Sequence, residues 1–210
     1  MDKDVSAFFL FVCAVAVFFG LIWRIGVSLS NKAQANMRRL AERLNLQMIG
    51  HPKVLGIHRH PEARGVIRGK AVRIYNYATG SGKSKTTWSA MAVTPRAHGG
   101  LTFALTHEGL GSKVMGLFGT KEVKVGNAAF DDRWFVRSNA AEFFAAALIP
   151  EVQGKIQKLP GTWKLEGGAV NYRERGLFTD LTRCERFAAV AEAACDLADI
   201  AEVYAQQKQN

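Results

Sequence analysis

The 210-residue chain has only three cysteines, and it lacks the short motifs that mark common catalytic and metal sites. It contains no Cys-x-x-Cys pair, no GxSxG nucleophile elbow and no HExxH helix. Cys184 and Cys195 are eleven residues apart on a predicted helix, about 16 Å along its axis, so they cannot form a disulfide with each other. These absences favour a non-enzymatic protein of a reducing compartment, with no metal or other cofactor.

Charged residues are also absent from residues 5–23, a run of nineteen positions with eleven large apolar side chains. As a helix rising about 1.5 Å per residue, this run is about 28 Å long and matches the hydrocarbon core of a bilayer. It is longer than the apolar part of a signal peptide, about 7–15 residues, and Arg24 and Lys32 separate it from the cleavage-like triplet Ala33-Gln34-Ala35. We therefore expect an uncleaved transmembrane helix over residues 5–28, preceded by a short extracytoplasmic N-terminus of residues 1–4.

Positive charges follow the apolar run more densely than they precede it. Lys3 is the one cation before the run, whereas five cations follow it closely: Arg24, Lys32, Arg38, Arg39 and Arg43. Because the cationic flank of a transmembrane helix stays in the cytoplasm, this pattern predicts a single-pass inner-membrane protein whose folded part is cytoplasmic. No other apolar run in the sequence is long enough to span a bilayer.

Residues 24–73 carry eleven lysines and arginines against two acids, and so hold +9 of the chain's net charge of +10. A basic segment behind a membrane helix faces the anionic inner leaflet, where each cation near the surface contributes about 1 kcal/mol. We expect the five cations named above to contact anionic lipid headgroups. Nucleic acid is the rival partner of a basic surface, but it is not expected here, because the chain has no helix-turn-helix, zinc-finger or RNP pattern.

Helical periodicity resumes behind the apolar run and predicts a basic amphipathic juxtamembrane helix over residues 29–48. Met37, Leu40, Ala41 and Leu44 fall on one face of this helix. The apolar stripe either packs on the folded domain or lies in the membrane interface. The glycines and prolines of residues 49–67 predict a loop.

Residues 49–210 are predicted to form one α+β domain with an antiparallel sheet, because strand patterns follow one another without long helices between them. Strand signals cover residues 70–77, 86–94 and 101–107, with shorter ones near 123–125 and 133–137, and Gly167-Gly168 marks a hairpin. A mid-chain helix is expected over residues 140–149, capped by Asn139; it stops or kinks near Pro150, and a weaker helical stretch follows to Leu159. A long helix is expected at the C-terminus.

The C-terminal helix carries an apolar stripe at spacings of three and four residues, which includes Phe187, Val190, Leu197 and Tyr204. The simpler interpretation is that this stripe packs against the domain's own sheet. The alternative is a helix–helix contact with another protein, and in that case these four side chains are partner-binding residues.

The stretch Gly80-Ser81-Gly82-Lys83-Ser84 is similar in composition to a phosphate-binding loop. The complete motif requires a glycine where Tyr77 stands, and a helix after the lysine where this sequence favours a strand. A hairpin turn is the better interpretation, and a nucleotide-binding sensor or enzyme is the alternative.

Two further patterns are incomplete. Gly109-Leu110-Gly111 follows a predicted strand, but Val114 stands where a dinucleotide-binding loop needs its third glycine. His51, His58, His60 and Glu62 are potential metal ligands, yet the neighbouring arginines oppose a bound cation, and no metal site is predicted.

Five short stretches occur in order along the chain: Arg73-Ile74-Tyr75-Asn76-Tyr77, Ser81-Gly82-Lys83-Ser84, Glu108-Gly109-Leu110, Phe130-Asp131-Asp132-Arg133-Trp134-Phe135-Val136 and Leu148-Ile149-Pro150-Glu151. In these stretches the sequence resembles a loose group of uncharacterised bacterial proteins that join one or two membrane helices to a cytoplasmic α/β domain. The resemblance covers roughly residues 35–160. It implies a bacterial inner-membrane setting and brings no known activity and no catalytic residues.

The sequence as a whole predicts a membrane-anchored cytoplasmic domain that binds a protein partner or acts as a scaffold at the bacterial inner membrane. An accessory subunit of a larger membrane complex is the alternative closest to it. Both hypotheses rest on the apolar run, the basic segment and the lack of an assembled catalytic site.

Overall fold

The computed structural model describes residues 3–50, 60–107 and 119–209, and within these ranges it has five α-helices and nine β-strands. The helices are α1 (Lys3–Arg43), α2 (Ala128–Asp131), α3 (Ala141–Ala147), α4 (Pro150–Gln157) and α5 (Leu181–Gln207). The strands are β1 (Gln47–Ile49), β2 (Glu62–Ile67), β3 (Lys70–Thr79), β4 (Thr86–Thr94), β5 (Phe103–His107), β6 (Lys121–Val123), β7 (Trp134–Ser138), β8 (Thr162–Glu166) and β9 (Ala169–Arg175). The predicted α+β class is confirmed.

The apolar run and the basic segment behind it form a single continuous helix, α1, of 41 residues and about 62 Å. This differs from the expected pair of helices with a second one reaching residue 48. The helix ends at Arg43 because Asn45 takes a left-handed conformation (φ 53°) and the Leu46 amide donates to the Ala41 carbonyl at 2.8 Å. The chain then enters β1.

The nine strands form one sheet in the order β1-β2-β3-β4-β9-β8-β5-β7-β6, and every neighbouring pair is antiparallel. Residues 62–67, expected to be loop, form β2. Gly65 fits closely there, because a Cβ on it would lie 2.7 Å from a methyl group of Leu46, which would have to move. Glycine has a low strand propensity, so the sequence pattern of this strand is weak.

Two local predictions have different outcomes. The β8–β9 hairpin turns at Gly167-Gly168 as predicted, since both residues have positive φ (63° and 77°). Asn139 does not cap the mid-chain helix: its side chain donates to the Gly100 carbonyl and accepts from the Thr102 amide. The first mid-chain helix, α3, ends at Ala147, and Pro150 is the first residue of α4, which lies in the helical stretch expected after it.

One hydrophobic core lies between the inner face of the sheet and the helices. Its largest side chains include Trp134, Trp163, Tyr172 and Phe187. Met37, Leu40 and Ala41 of α1 belong to the same core, so their stripe packs on the domain. Cys184 and Cys195 are not disulfide-bonded, as their spacing predicts, and both are buried.

Ion pairs join α5 to the sheet at two places along the helix. Near its start, the Glu174 carboxylate of β9 accepts from Arg183 at 2.6 Å, from Arg186 at 2.8 Å and from the Tyr172 hydroxyl at 2.8 Å. Farther along, Asp199 pairs with Lys70 at the β2–β3 turn. The helix therefore runs along the sheet from the last residues of β9 to the β2–β3 turn.

The first helix runs in the same direction as the last one. The Asn36 amide donates to the Phe178 carbonyl, just before α5, at 2.8 Å. Seven residues later, Arg43 lines a cavity together with Ala188 and Glu192. Since α1 enters the domain beside Phe178, its first thirty residues project from that end, which we call the anchor end.

Candidate binding face of the sheet

The five cations expected to contact lipid headgroups are all solvent-exposed: Arg24, Lys32, Arg38, Arg39 and Arg43. Arg24 and Lys32 lie on the part of α1 that precedes the first buried side chain, Ala33. The other three lie beside the buried stripe of α1, and so belong to the surface of the folded domain.

The four side chains of the α5 stripe lie inside or against the core. Phe187, Val190 and Leu197 have no exposed surface. Tyr204 is half-buried, with its ring centroid 5.0 Å from that of Phe143. Packing against the domain's own sheet therefore describes this stripe, and the three buried members present no surface to a partner.

The outer face of the sheet carries a different set of residues. Along β3, Val72, Ile74 and Asn76 point to the core, whereas Arg73, Tyr75 and Tyr77 point away from it. The described helices bury their apolar side chains in a single cluster on the inner face. No described helix therefore covers the outer face around β3, β4 and β9.

Aromatic rings and arginines lie side by side on this outer face. The Tyr77 ring stacks beside Trp88 of β4, with 6.5 Å between centroids, and lies 5.8 Å from Tyr75. The Arg73 guanidinium lies 4.4 Å from the Tyr75 centroid, and the Arg173 guanidinium lies 4.9 Å from Trp88. We call these five residues the aromatic-cation face.

A cavity of about 320 Å³ opens beside these rings. Its lining includes Tyr77 of β3, Thr162 and Lys164 of β8, and Asn171 and Arg173 of β9. The Arg173 guanidinium donates to the Tyr77 hydroxyl at 3.4 Å, so this arginine contacts the aromatic rings and also lines the cavity. The lining offers two cations, the Glu166 carboxylate 3.9 Å from the Lys164 ammonium, and several hydrogen-bonding groups beside an aromatic wall.

Glu62 fixes the arginine at the other end of the face. The Arg73 guanidinium donates to both Glu62 oxygens, at 2.9 and 3.0 Å, and Arg64 pairs with the same carboxylate. The hydrogen bond from Arg73 lowers the pKa of Glu62, and the reverse contact raises the pKa of Arg73. Burial raises the pKa of Tyr75, with a smaller contribution from Tyr77. Arg73 is therefore a cation and Tyr75 a neutral phenol at physiological pH.

The Glu62 pair makes stability depend on pH. Because the folded-state pKa of Glu62 lies below its ordinary value of 4.5, its contribution is complete above pH 4.5 and is lost as the pH falls through the lower value. We expect Glu62→Gln to lower the free energy of unfolding by about 1 kcal/mol at neutral pH. Thermal unfolding followed by circular dichroism should show this difference shrinking in acid. A difference that is constant down to acid pH, or one matched by the exposed control Glu42→Gln, contradicts the assignment.

The other candidate sites considered from the sequence have less support in the described part of the chain. The described residues hold no group of three or more histidines, cysteines or acids that could bind a metal ion. His51, His58 and the Gly109-Leu110-Gly111 motif lie outside these residues. His60 and Glu62 are described; burial, followed by the charge of Lys85, lowers the pKa of His60.

The phosphate-loop-like stretch is a hairpin turn. Residues Gly82–Ser84 form one turn of 3-10 helix, the Ser84 amide donates to the Ser81 carbonyl at 3.1 Å, and β4 follows. No α-helix begins after Lys83, so the backbone amides that would face a phosphate in such a loop are not assembled here.

Comparison with known proteins gives one structural likeness. No protein-family model and no curated protein sequence matches this chain. The structure is similar to the crystal structure of the mycobacterial trehalose monomycolate transport factor A, TtfA, with a TM-score of 0.52 and 13% sequence identity. The match covers 82% of this chain and 93% of that one. The two proteins share a fold. At this level of identity the likeness extends to the fold alone.

The aromatic-cation face was not identified from the sequence. The alternation Arg73-Ile74-Tyr75-Asn76-Tyr77 does show that two tyrosines and an arginine share one side of a strand. Trp88 and Arg173 are far from this stretch in sequence, and only the pairing of β4 with β3 and β9 brings them beside it. Strand order was the missing information.

Proposed function

We propose that this protein is a non-catalytic accessory protein, anchored by α1 in the bacterial inner membrane with its N-terminus outside and its domain in the cytoplasm. In this proposal the aromatic-cation face binds an acidic segment of a protein partner. The protein would thereby hold that partner at the membrane. The observation that carries the proposal is a row of tyrosine, tryptophan and arginine side chains on a sheet face that no described helix covers, in a chain that also has a long apolar helix.

The first half of α1 supports the anchor. Of the described helices, it alone is long and apolar enough, over Phe11–Arg43, to cross a membrane. Phe8, Phe18 and Ile25 are 59–70% exposed, and none of them belongs to the core that the described residues form. A contiguous apolar surface of this kind needs lipid or protein around it. The excess of cations behind the run supports a cytoplasmic domain.

The length of α1 decides which cations reach the headgroups in this proposal. If hydrocarbon ends near Trp23, Arg24 lies at its edge and Lys32 lies about 13 Å beyond it. Arg38, Arg39 and Arg43 lie about 22–30 Å beyond it, more than two Debye lengths at physiological salt. We therefore assign headgroup contact to Arg24 and Lys32, and assign the other three to the domain's positive surface.

Composition and charge support the choice of an acidic protein partner. Tryptophan, tyrosine and arginine are the residues that most often carry binding energy at protein interfaces. Four cations lie on or beside the face, Arg64, Arg73, Lys164 and Arg173, against two acids. Glu62 is held by the first two arginines, and Glu166 lies 3.9 Å from the Lys164 ammonium. A partner segment rich in aspartate or glutamate complements this surplus of positive charge.

The shared fold with TtfA supports one setting in particular. That protein is described as a transport factor for trehalose monomycolate. An accessory subunit of a larger membrane transport complex is therefore the form of the proposal that we favour. A nucleotide-binding sensor is not favoured, because the turn at Gly80-Ser81-Gly82-Lys83-Ser84 connects two strands.

Photo-crosslinking in living cells tests the partner-binding face. A photoreactive amino acid at Thr162, inside the cavity, should give a discrete adduct whose partner peptide is acidic when identified by mass spectrometry. Arg173→Glu or Trp88→Ala should reduce the adduct about 30-fold, the effect expected for loss of an interface hot spot. The full-length chain is used, so that the anchor is present.

Two controls make this result specific. The same photoreactive residue at Val203, which is 46% exposed on α5, should give no such adduct. Lys208→Glu reverses a charge at the far end of α5 and should leave the Thr162 adduct unchanged. An adduct that survives Arg173→Glu, or a partner peptide without acidic residues, would refute the proposed docking.

A further inference from the structure

We infer that the β3–β4 turn, residues 80–85, rests on the anionic surface of the membrane and is a second contact point of the domain with the bilayer. This inference rests on the proposed membrane anchor and assigns a role to the turn. Its ligand is a surface of anionic phospholipid headgroups.

The turn lies at the anchor end of the domain. The Gly176 amide, two residues before Phe178, donates to the Thr87 carbonyl at 2.9 Å, and Phe178 in turn holds Asn36 of α1. Thr79 pairs with Thr86 one residue farther along the hairpin. The turn therefore projects past the level at which α1 leaves the domain, in the direction of the apolar part of α1.

A contact at the opposite end of the domain gives the same direction for β4. There the Arg96 amide, two residues after β4, donates to Glu202 near the end of α5 at 2.9 Å. The strand β4 thus starts at the anchor end and finishes at the far end, parallel in sense to α5 and α1. The hairpin tip and the end of α5 are separated by the full length of the domain.

The rise of α1 and the length of the hairpin place the tip of the turn near the lipid headgroups. Asn36 is thirteen residues from Trp23, a rise of about 20 Å. The turn extends about 10 Å beyond the level of Thr87, at about 3.3 Å per strand residue. For an upright α1, the tip then lies about 10 Å from the hydrocarbon edge. The headgroup layer occupies about 5–8 Å of that gap, and the remainder is within one Debye length.

The charge of the turn suits an anionic surface. Lys83 and Lys85 are both exposed, and residues 80–85 contain no acid. Within the structure's described ranges, no salt bridge involves either lysine. Asp180, an exposed acid at this end, accepts from the Thr182 amide and so caps α5.

Because α1 joins the apolar run to the domain rigidly, the contact through the turn fixes the orientation of the domain on the membrane. α1 continues without interruption from its apolar part into the core at Met37. A single helix leaves the domain free to rotate about the helix axis above the membrane. A second contact through Lys83 and Lys85 fixes that rotation, and so fixes which way the aromatic-cation face points.

Fluorescence quenching in nanodiscs tests this inference with the full-length chain. An environment-insensitive fluorophore is attached at Ser81→Cys in a Cys13→Ala background. Burial raises the pKa of both remaining thiols, Cys184 to about 11, so they label slowly. Phospholipids with a nitroxide on the headgroup are the quencher, and a label at Gln206→Cys, at the far end of α5, is the positional control.

We expect strong quenching of the Ser81 label in phosphatidylglycerol–phosphatidylcholine discs and none of the Gln206 label. The equilibrium ratio of membrane-bound to unbound turn should fall about 25-fold in the double variant Lys83→Gln/Lys85→Gln, because each cation removed lowers it about fivefold. It should also fall in pure phosphatidylcholine, and at about 1 M salt, where the Debye length is about 3 Å. The matched double variant Lys121→Gln/Lys208→Gln, at the far end, should behave as the parent.

The failures of the anchor and of the turn contact are distinguishable. A chain that does not co-elute with the discs refutes the membrane anchor, and this inference with it. A chain that co-elutes while its Ser81 label is quenched no more than the Gln206 label refutes the turn contact alone. Quenching that inorganic phosphate or ATP abolishes, when chloride at equal ionic strength does not, also refutes it and favours a phosphate-binding turn.

Discussion

Replacing Met37 and Leu40 of α1 together with alanine is expected to lower the free energy of unfolding by about 4–8 kcal/mol. Both side chains are at most 2% exposed and belong to the domain's core, although they lie on the same helix as the apolar run. Since a domain of ordinary stability unfolds at a cost of about 5–15 kcal/mol, this loss threatens folding as a whole. Thermal unfolding of the detergent-solubilised full chain, followed by circular dichroism, measures it.

The control for this variant lies on the same helix. Leu29 is 48% exposed, and Leu29→Ala should leave the unfolding temperature of the domain almost unchanged. A double variant Met37→Ala/Leu40→Ala that unfolds at the same temperature as the parent would show that α1 is not part of the core.

Glu174→Ala is expected to destabilise the domain by about 3 kcal/mol, because it removes the carboxylate that two arginines and one tyrosine share. Glu174 is 5% exposed, and its loss leaves Arg183 and Arg186 beside the core without their acidic partner. At about 2–4 °C per kcal/mol for a domain of this size, the unfolding temperature should fall by about 6–12 °C.

Two comparisons separate this effect from a general loss of charge on the same element. Glu185→Ala removes an exposed acid from the first turns of α5 and should change the unfolding temperature little. Glu174→Gln keeps one acceptor oxygen and should fall between the parent and Glu174→Ala. Equal unfolding temperatures for Glu174→Ala and Glu185→Ala would contradict the role of Glu174 in joining β9 to α5.

Elements with a strong and uninterrupted pattern were predictable from the sequence. The stripe of α5 identified core positions that are fully buried, such as Phe187 and Leu197. The β-branched and aromatic runs gave β3 and β4 within two residues of their bounds. The hairpin of β8 and β9 followed from two glycines, whose positive φ values a two-residue turn requires.

Elements whose pattern depends on distant partners were not predictable. Glu62 at the start of β2 is buried, which no local pattern indicates, and it is stabilised there by Arg73 from the neighbouring strand. Asn139 has a strong capping propensity, but its side chain bonds to Gly100 and Thr102 of another segment. Tertiary contacts determine both outcomes.

The candidate site belongs to the second kind. The five residues of the aromatic-cation face come from three strands, and their proximity follows from the order β3-β4-β9 in the sheet. A single sequence does not encode that order in any short-range signal. The helix that is long and apolar enough to span a membrane, in contrast, is evident from composition and length alone.

The core joins the beginning of the chain to its end. Asn36 and Met37 are among the first residues of the domain to leave the ribosome, and α5, against which this part of α1 packs, is the last helix to be made. At about 5–20 residues per second, about 10–30 s of synthesis separate the two. In the proposed membrane topology, the α1 segment would thus enter the bilayer well before the domain can close, and the domain would complete its folding at the membrane surface. A premature stop codon anywhere ahead of α5 would leave an inserted polypeptide with an unclosed core, the kind of product that quality-control proteases remove.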